Sequence, residues 1–279
     1  MARLAPWFPL LALLFAAACA APPPPPPAPL PPLPRADKVL PLPGEAFVLA
    51  GREAFVLLPA APAPAPQPWV LYAPTLRGLP SDAEVWLFER LLQRGVAIAG
   101  IDVGESYGSA AGARLFDALY EHLVGARGFA PRAALLGRSR GGLMTLAWGA
   151  DRPERTAAFA GIYPVCDLRS YPGLAKAAPA HGLDEAGLQA ALPQHNPIDR
   201  LERLARAGVP FFCVHGDVDT LVPLAANSQE LLARVQAAGG RAEIELLVGR
   251  GHDMDPGFFR SERMLAFLLQ ALGRSDAAR

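Results

Sequence analysis

The chain has 279 residues, 52% hydrophobic and 19% charged, which is enough apolar side chain for one substantial core and too much for a disordered protein. Its 26 basic residues are matched by 26 acidic ones with no long run of either sign, so it carries no electrostatic footprint for nucleic acid or an anionic membrane surface. Lysine is almost absent: only Lys38 and Lys176 stand among the arginines.

Residues 1–21 read as a secretory signal peptide, with Arg3 in a short basic region, an apolar stretch from Trp7 to Ala18, and small residues ending in Cys19-Ala20-Ala21. The apolar stretch is shorter than the roughly 20 residues a spanning helix needs. Ala16-Ala17-Ala18-Cys19 resembles a bacterial lipobox, in which Cys19 is lipidated, becomes the mature N-terminus and tethers the protein to a membrane; cleavage near Ala18 or Ala20 without lipid is the alternative. Residues 22–43 form a proline-rich linker. Its first part, 22–34, holds ten prolines and favours a stiff polyproline II rod about 40 Å long, suited to a spacer between anchor and domain.

The folded domain is expected over 44–279, beginning near Leu42. Ala46 to Ala50 and Ala54 to Leu58, separated by Gly51-Arg52-Glu53, predict an antiparallel hairpin. A second proline cluster, Pro59 to Pro68, leads to the apolar strand Trp69 to Ala73. Strands and helices then alternate: helix Asp82 to Gln93, strand Val96 to Asp102, helix Ala110 to Val124, strand Ala133 to Leu136, helix to about Trp148, strand Ala157 to Val165. After a long connection come strand Pro210 to His215, helix Leu224 to Ala238, strand Ala242 to Val248 and a last helix Pro256 to Leu272. Continuous apolar strands linked by amphipathic helices predict an α/β fold with a mostly parallel sheet covered on both faces.

The long connection, an insertion at about 167–195, holds Tyr171-Pro172-Gly173, a helical run around Asp184 to Ala191, and His195. Connections of this length are usually functional or disordered, and Asp167 to His195 is a candidate cap over a site. Asn196 before Pro197 predicts an N-cap for a helix reaching about Ala207.

Gly137-Arg138-Ser139-Arg140-Gly141-Gly142 lies between a predicted strand and a predicted helix, the setting of a Gly-x-Ser-x-Gly nucleophile elbow. A serine hydroxyl needs a base within hydrogen-bond reach and a third group to hold that base in its tautomer. Of the five histidines, His122 falls in a helix, His181 and His195 in the insertion, and His215 at a strand end, where packing is the expected role. His252 follows a strand in Gly249-Arg250-Gly251-His252-Asp253, where an open α/β sheet places its site, and is the expected base. For the acid, both Asp217 and Asp219 lie in the loop His215-Gly216-Asp217-Val218-Asp219-Thr220-Leu221-Val222-Pro223.

The order Ser, Asp, His, with the elbow, the HGDVDTLVP loop and the closing GRGHD, resembles the α/β-hydrolase superfamily over about residues 44–272, and within it the prolyl-oligopeptidase-like and acetyl-esterase-like branch. That resemblance implies an α/β-hydrolase fold with a small cap, a Ser139, His252, Asp219 triad with the acid four residues after His215, and no cofactor or metal. The backbone N–H of Arg140, just after the nucleophile, is one expected oxyanion donor. The resemblance places the other in Pro74-Thr75-Leu76-Arg77-Gly78, on Leu76 or Thr75, where the usual His-Gly is absent.

Arg138 and Arg140 flank the serine; each either reaches the substrate pocket, as the arginine after the nucleophile of glucuronoyl esterases suggests for Arg140, or makes a structural ion pair, Glu105 being one partner. Tyr163, Tyr171 and His195 are further candidate substrate contacts. Cys166 and Cys213 are expected as two buried thiols rather than a disulfide. The resulting expectation is an exported serine carboxylesterase, a periplasmic or envelope lipoprotein or a secreted protein, acting on a small-molecule or carbohydrate ester. The competing readings are a serine peptidase, a metal-dependent hydrolase built on His215, Asp217, Asp219, His252, Asp253 and Asp255, and a catalytically silent binding protein.

Overall fold

The computed structural model describes Met1 and residues 33–61, 63 and 65–274. Two compact units divide the chain, Met1–Pro31 and Pro32–Arg279, and all described residues except Met1 lie in the second. The rest of the expected signal peptide, with Cys19, and the linker up to residue 32 fall outside the described residues. Among the described residues no helix is long and apolar enough to cross a membrane.

An eight-stranded sheet runs through the second unit. Its strands are β1 (Glu45–Leu49), β2 (Arg52–Leu57), β3 (Trp69–Tyr72), β4 (Ala97–Ile101), β5 (Ala133–Arg138), β6 (Thr156–Ile162), β7 (Phe211–Gly216) and β8 (Ala242–Leu247). In space they follow the order β1-β2-β4-β3-β5-β6-β7-β8. The hairpin β1/β2 joins β4 antiparallel, and every pairing from β4 to β8 is parallel. Pairing with the sheet begins ahead of Leu42: Arg35 bridges to Phe47, and Val48 N donates to Pro34 O at 2.7 Å.

Helices α1 (Val85–Gln93), α2 (Ala110–Tyr120) and α3 (Gly141–Asp151) follow β3, β4 and β5. Alternation along the strands divides two apolar layers. Ala54, Val56, Trp69, Leu71, Ala97 and Leu135 meet α2, α3, α7 (Leu201–Arg206) and α8 (Ser228–Ala237), while Phe55, Leu57, Val70, Tyr72, Ile98 and Leu136 meet α1, α9 (Pro256–Phe259) and α10 (Glu262–Ala271). From β3 the chain crosses to β4 on one side, and from β5 to β6 on the other. Right-handed crossovers in opposite directions put α1 and α3 on opposite faces, and the crevice this opens lies beyond the carboxyl ends of β3 and β5.

Three elements depart from the pattern reading. Strand β6 stops at Ile162 instead of Val165, because Tyr163 adopts φ 34° and Pro164 follows. The last helix is two, α9 and α10, separated at Ser261, whose side chain accepts from Met264 N at 2.9 Å and caps the second. Helix α8 starts at Ser228, after a 3₁₀ turn over Leu224–Ala226 and the buried Asn227. The insertion forms three short helices, α4 (Leu174–Ala177), α5 (Glu185–Ala190) and α6 (Leu192–His195), around an apolar cluster that includes Tyr107, Leu168 and Leu188.

Close approach of α3 to the sheet depends on two glycines. A Cβ on Gly137 would lie 2.8 Å from Gly142 Cα, and one on Gly142 would lie 2.5 Å from Val165 O, a backbone atom that cannot swing away. Gly142→Ala is therefore expected to destabilise the protein by about 1–3 kcal/mol, the usual range for overpacking, read as a lower urea midpoint.

Candidate active site

Ser139 sits between β5 and α3 with φ 49°, a left-handed conformation that is costly for a residue with a Cβ. Three backbone bonds hold it there: Ser139 N donates to Ile162 O at 2.9 Å, and Ser139 O accepts from Val165 N at 2.8 Å and Gly142 N at 2.9 Å. Its side chain is thereby lifted into the crevice.

The loops after β7 and β8 deliver its partners. Ser139 Oγ lies 3.0 Å from His252 Nε2, and His252 Nδ1 lies 2.8 Å from Asp219 Oδ2. Nδ1–H donates to the carboxylate, which leaves Nε2 as an acceptor for the serine proton. Asp219 is fixed from its other side: Oδ1 accepts from Leu221 N at 2.9 Å and Val222 N at 2.8 Å, and the side chain is fully buried. Asp217, the alternative acid, is exposed and accepts from Gly249 N. His215 lies buried beneath this loop. Val222 O, 2.9 Å from its Nε2, can only accept, so that nitrogen carries the proton and Nδ1 accepts from Ser228 Oγ at 2.7 Å. Burial pushes the His215 pKa below the usual imidazole value.

The metal cluster weighed from the sequence does not assemble. Asp217 bonds Gly249 N, Asp253 accepts from Asp255 N, and Asp255 accepts from Gly257 N and pairs with Arg250. Among the described residues no group of three or more His, Cys, Asp or Glu side chains is arranged to hold a metal ion.

The arginines flanking Ser139 leave the backbone in opposite directions. Arg138 turns inward from the crevice. It pairs at 2.8 Å with Glu84, which is fully buried and also accepts from Tyr72 Oη, Ser81 N and Ser81 Oγ. Its other amino group touches Met254 Sδ, and its guanidinium lies over the Phe259 ring. Tyr163, expected at the substrate, is 2% exposed and packs under the base, its ring centroid 4.3 Å from that of His252. Burial raises its pKa to about 12, so the phenol stays protonated. Glu84 and Tyr72 were not singled out from sequence. Ser81 three residues before Glu84 is the signature of a capping box, which announces a helix start rather than a buried ion pair.

Arg140 turns to the cap, 3.2 Å from Glu105 and 3.3 Å from Tyr171 Oη, with its Nε buried and unpaired. Tyr171 thus reaches the site's edge. His195 instead faces His181 inside the cap, their Nδ1 atoms 3.3 Å apart. Asn196 does not cap the following turn: it accepts from Leu168 N and donates to Asp167 and Asp199. Thr75 is buried near Gly141 and Leu76 is exposed, both in the loop after β3. Cys166 and Cys213 are free and buried.

A serine with imidazole and carboxylate in series, at the carboxyl edge of this sheet, defines a serine hydrolase of α/β-hydrolase fold. The model of the prolyl oligopeptidase family matches residues 119–275, more than half of the chain, which belongs to that family. No curated protein matches the sequence. Among solved structures, a puromycin-hydrolyzing peptidase of Mycobacterium tuberculosis superposes with TM-score 0.64 at 19% identity, covering 82% of this chain and 39% of its own. Est1E from Butyrivibrio proteoclasticus gives TM-score 0.60 at 17% identity, covering 82% of this chain and 99% of its own. Dipeptidyl peptidase 4 of Porphyromonas gingivalis gives 0.60 at 16%, covering 81% and 35%. The chain therefore spans about two fifths of the first of these peptidases.

Removing one partner of a buried ion pair strands the other, so Glu84→Gln is expected to cost about 3 kcal/mol in urea unfolding, and Glu84→Leu with Arg138→Met much less. His122, His181 and His215 all have pKa values lowered chiefly by burial. The unfolded chain takes up protons at the ordinary imidazole value while the folded state does not. Stability is thus complete above about pH 7 and lost as pH falls through the imidazole range; His215→Gln should shallow that loss in urea midpoints.

Proposed function

We propose that the protein is an exported carboxylesterase that works through an acyl-enzyme on Ser139, with a small-molecule or carbohydrate ester as substrate. The observation that carries this reading is the unbroken hydrogen-bonded series Ser139 Oγ, His252, Asp219. Ser139 Oγ attacks the ester carbonyl as His252 Nε2 takes its proton, and Asp219 steadies the imidazolium through Nδ1–H. The tetrahedral oxyanion is held by Arg140 N–H, at the start of α3 where helix N–H groups lack intrahelical partners, and by a backbone N–H of Thr75 or Leu76. Collapse breaks the bond to the alcohol, which leaves with the proton from His252. Water then attacks the acyl-enzyme by the same route in reverse.

An ester is favoured because an alcohol leaves more readily than an amine, so these few groups suffice. Leu76, Leu221 and Met254 are exposed apolar side chains on the loops after β3, β7 and β8, the loops that carry the candidate oxyanion donor, the acid and the base. Arg140 bonds Tyr171 at 3.3 Å beside the nucleophile. Peptide cleavage is the second reading, supported by the family and by the peptidase neighbours. In the esterase reading residues 1–21 direct export, Cys19 is the lipid attachment point, and the protein works in the periplasm, at the envelope or after secretion.

Wild type is expected to gain one fluorophosphonate adduct by intact mass, and Ser139→Ala none; an equal adduct on the alanine variant would falsify the mechanism. Asp219→Asn should lower kcat roughly 1,000-fold or more, and a chelator should change nothing. A p-nitrophenyl ester should exceed an aminoacyl p-nitroanilide in kcat/KM by at least about 100-fold, and the reverse ratio establishes the peptidase reading.

A further inference from the structure

Lys38, one of only two lysines in the chain, is 8% exposed, and its Nζ donates to the carbonyl of Arg77 at 2.9 Å. Burial lowers its pKa, while Glu53 and Asp102 pull it upward. Taking an ammonium out of water is expensive, and packing alone offers no return for it. What the ammonium meets is the loop after β3. Arg77 directly follows Leu76, and Leu79 N closes a turn on Leu76 O at 3.0 Å. The same loop is tied to β2 by the pair between Arg77 and Glu53 at 3.7 Å.

The segment bearing Lys38 is itself anchored. Residues 34–36 run against β1 through Val48 N to Pro34 O and Ala36 N to Ala46 O at 3.1 Å. From there residues 37–41 pass beside residues 77–82, and the two stretches enclose an open groove of about 570 Å³ lined by Asp37, Lys38, Val39, Arg77, Gly78 and Asp82 among others. No other hydrogen bond of the loop's carbonyl at Arg77 is present among the described residues.

We propose that Lys38 is a positioning residue for the oxyanion loop. The inference rests on the esterase reading above. An oxyanion donor works only if it is already aimed where charge will develop, and a backbone N–H is aimed by its peptide planes. By gripping the carbonyl one residue beyond Leu76, the ammonium restrains the planes on which Thr75 and Leu76 sit. It touches no reacting atom.

The test uses the full chain, with active sites counted by fluorophosphonate titration so that kcat is expressed per folded site. Lys38→Met is expected to lower kcat for a p-nitrophenyl ester about 10- to 100-fold with KM within about twofold, the signature of lost transition-state stabilisation. Lys38→Arg, which keeps a long cationic donor, should recover most of the loss. A purely structural lysine would lower the melting temperature and leave kcat per titrated site within about twofold of wild type, and that result overturns the inference. If Lys38→Met yields no titratable sites, Lys38→Gln is read in the same way. A wild type that neither labels nor cleaves esters overturns the site reading and this inference together; an active wild type with an unaffected Lys38→Met overturns the inference alone.

Discussion

Ser139 must hold a left-handed backbone for its hydroxyl to stand clear of both strand and helix, and the surrounding chain is shaped by that requirement. A residue with a Cβ pays for φ 49° and stays there only if its neighbours leave it no alternative. Ile162 O and Val165 N grip its two peptide groups, so the end of β6 is committed to the elbow. Gly137 and Gly142 let α3 descend onto β5 without a side chain between them. The abrupt stop of β6 at Tyr163, itself at φ 34°, follows from the same crowding and places a phenol ring under His252.

Charge is handled differently on the two sides of this turn. Arg138 is drawn into the interior by the fully buried Glu84, and the pair leans on Met254 and Phe259, which belong to the stretch that carries His252. A buried pair of this kind adds little net stability, yet it fixes where its neighbours sit. Arg140 stays at the surface of the crevice, shared between Glu105 and Tyr171. Two arginines that flank one serine thus brace the stretch carrying His252 on one side and tie the insertion to the loop after β4 on the other.

The sheet was legible in the sequence because its strands are unbroken apolar runs, and the elbow because Gly-x-Ser-x-Gly sat between a strand and a helix. Asp219 and His252 were legible by loop and order. Their separations of 80 and 33 residues do not reveal that all three meet. That meeting depends on β5, β7 and β8 lying on one side of the switch point. Less could be read where a side chain's partner is remote. Tyr163 was expected at the substrate and inside a longer strand, and the reversal at φ 34°, which the sequence does not announce, sends it inward. Glu84 lies 54 residues from Arg138, and nothing local marks it as buried. Asn196 has the composition of a cap, but the nearby Leu168 N and Asp167 compete for its amide and win.

The cap is fastened by two buried asparagines. Asn227 accepts from Cys166 N, Asp167 N and Ser170 Oγ and donates to Pro223 O, while Asn196 ties Leu168 and Asp167 to Asp199. Swinging the cap away about its base would strip several of these groups of partners in a place water does not reach. The insertion is therefore pinned at both its ends, where Asp167 and Asn196 meet, and its three short helices are carried as one piece with the sheet edge rather than on a hinge.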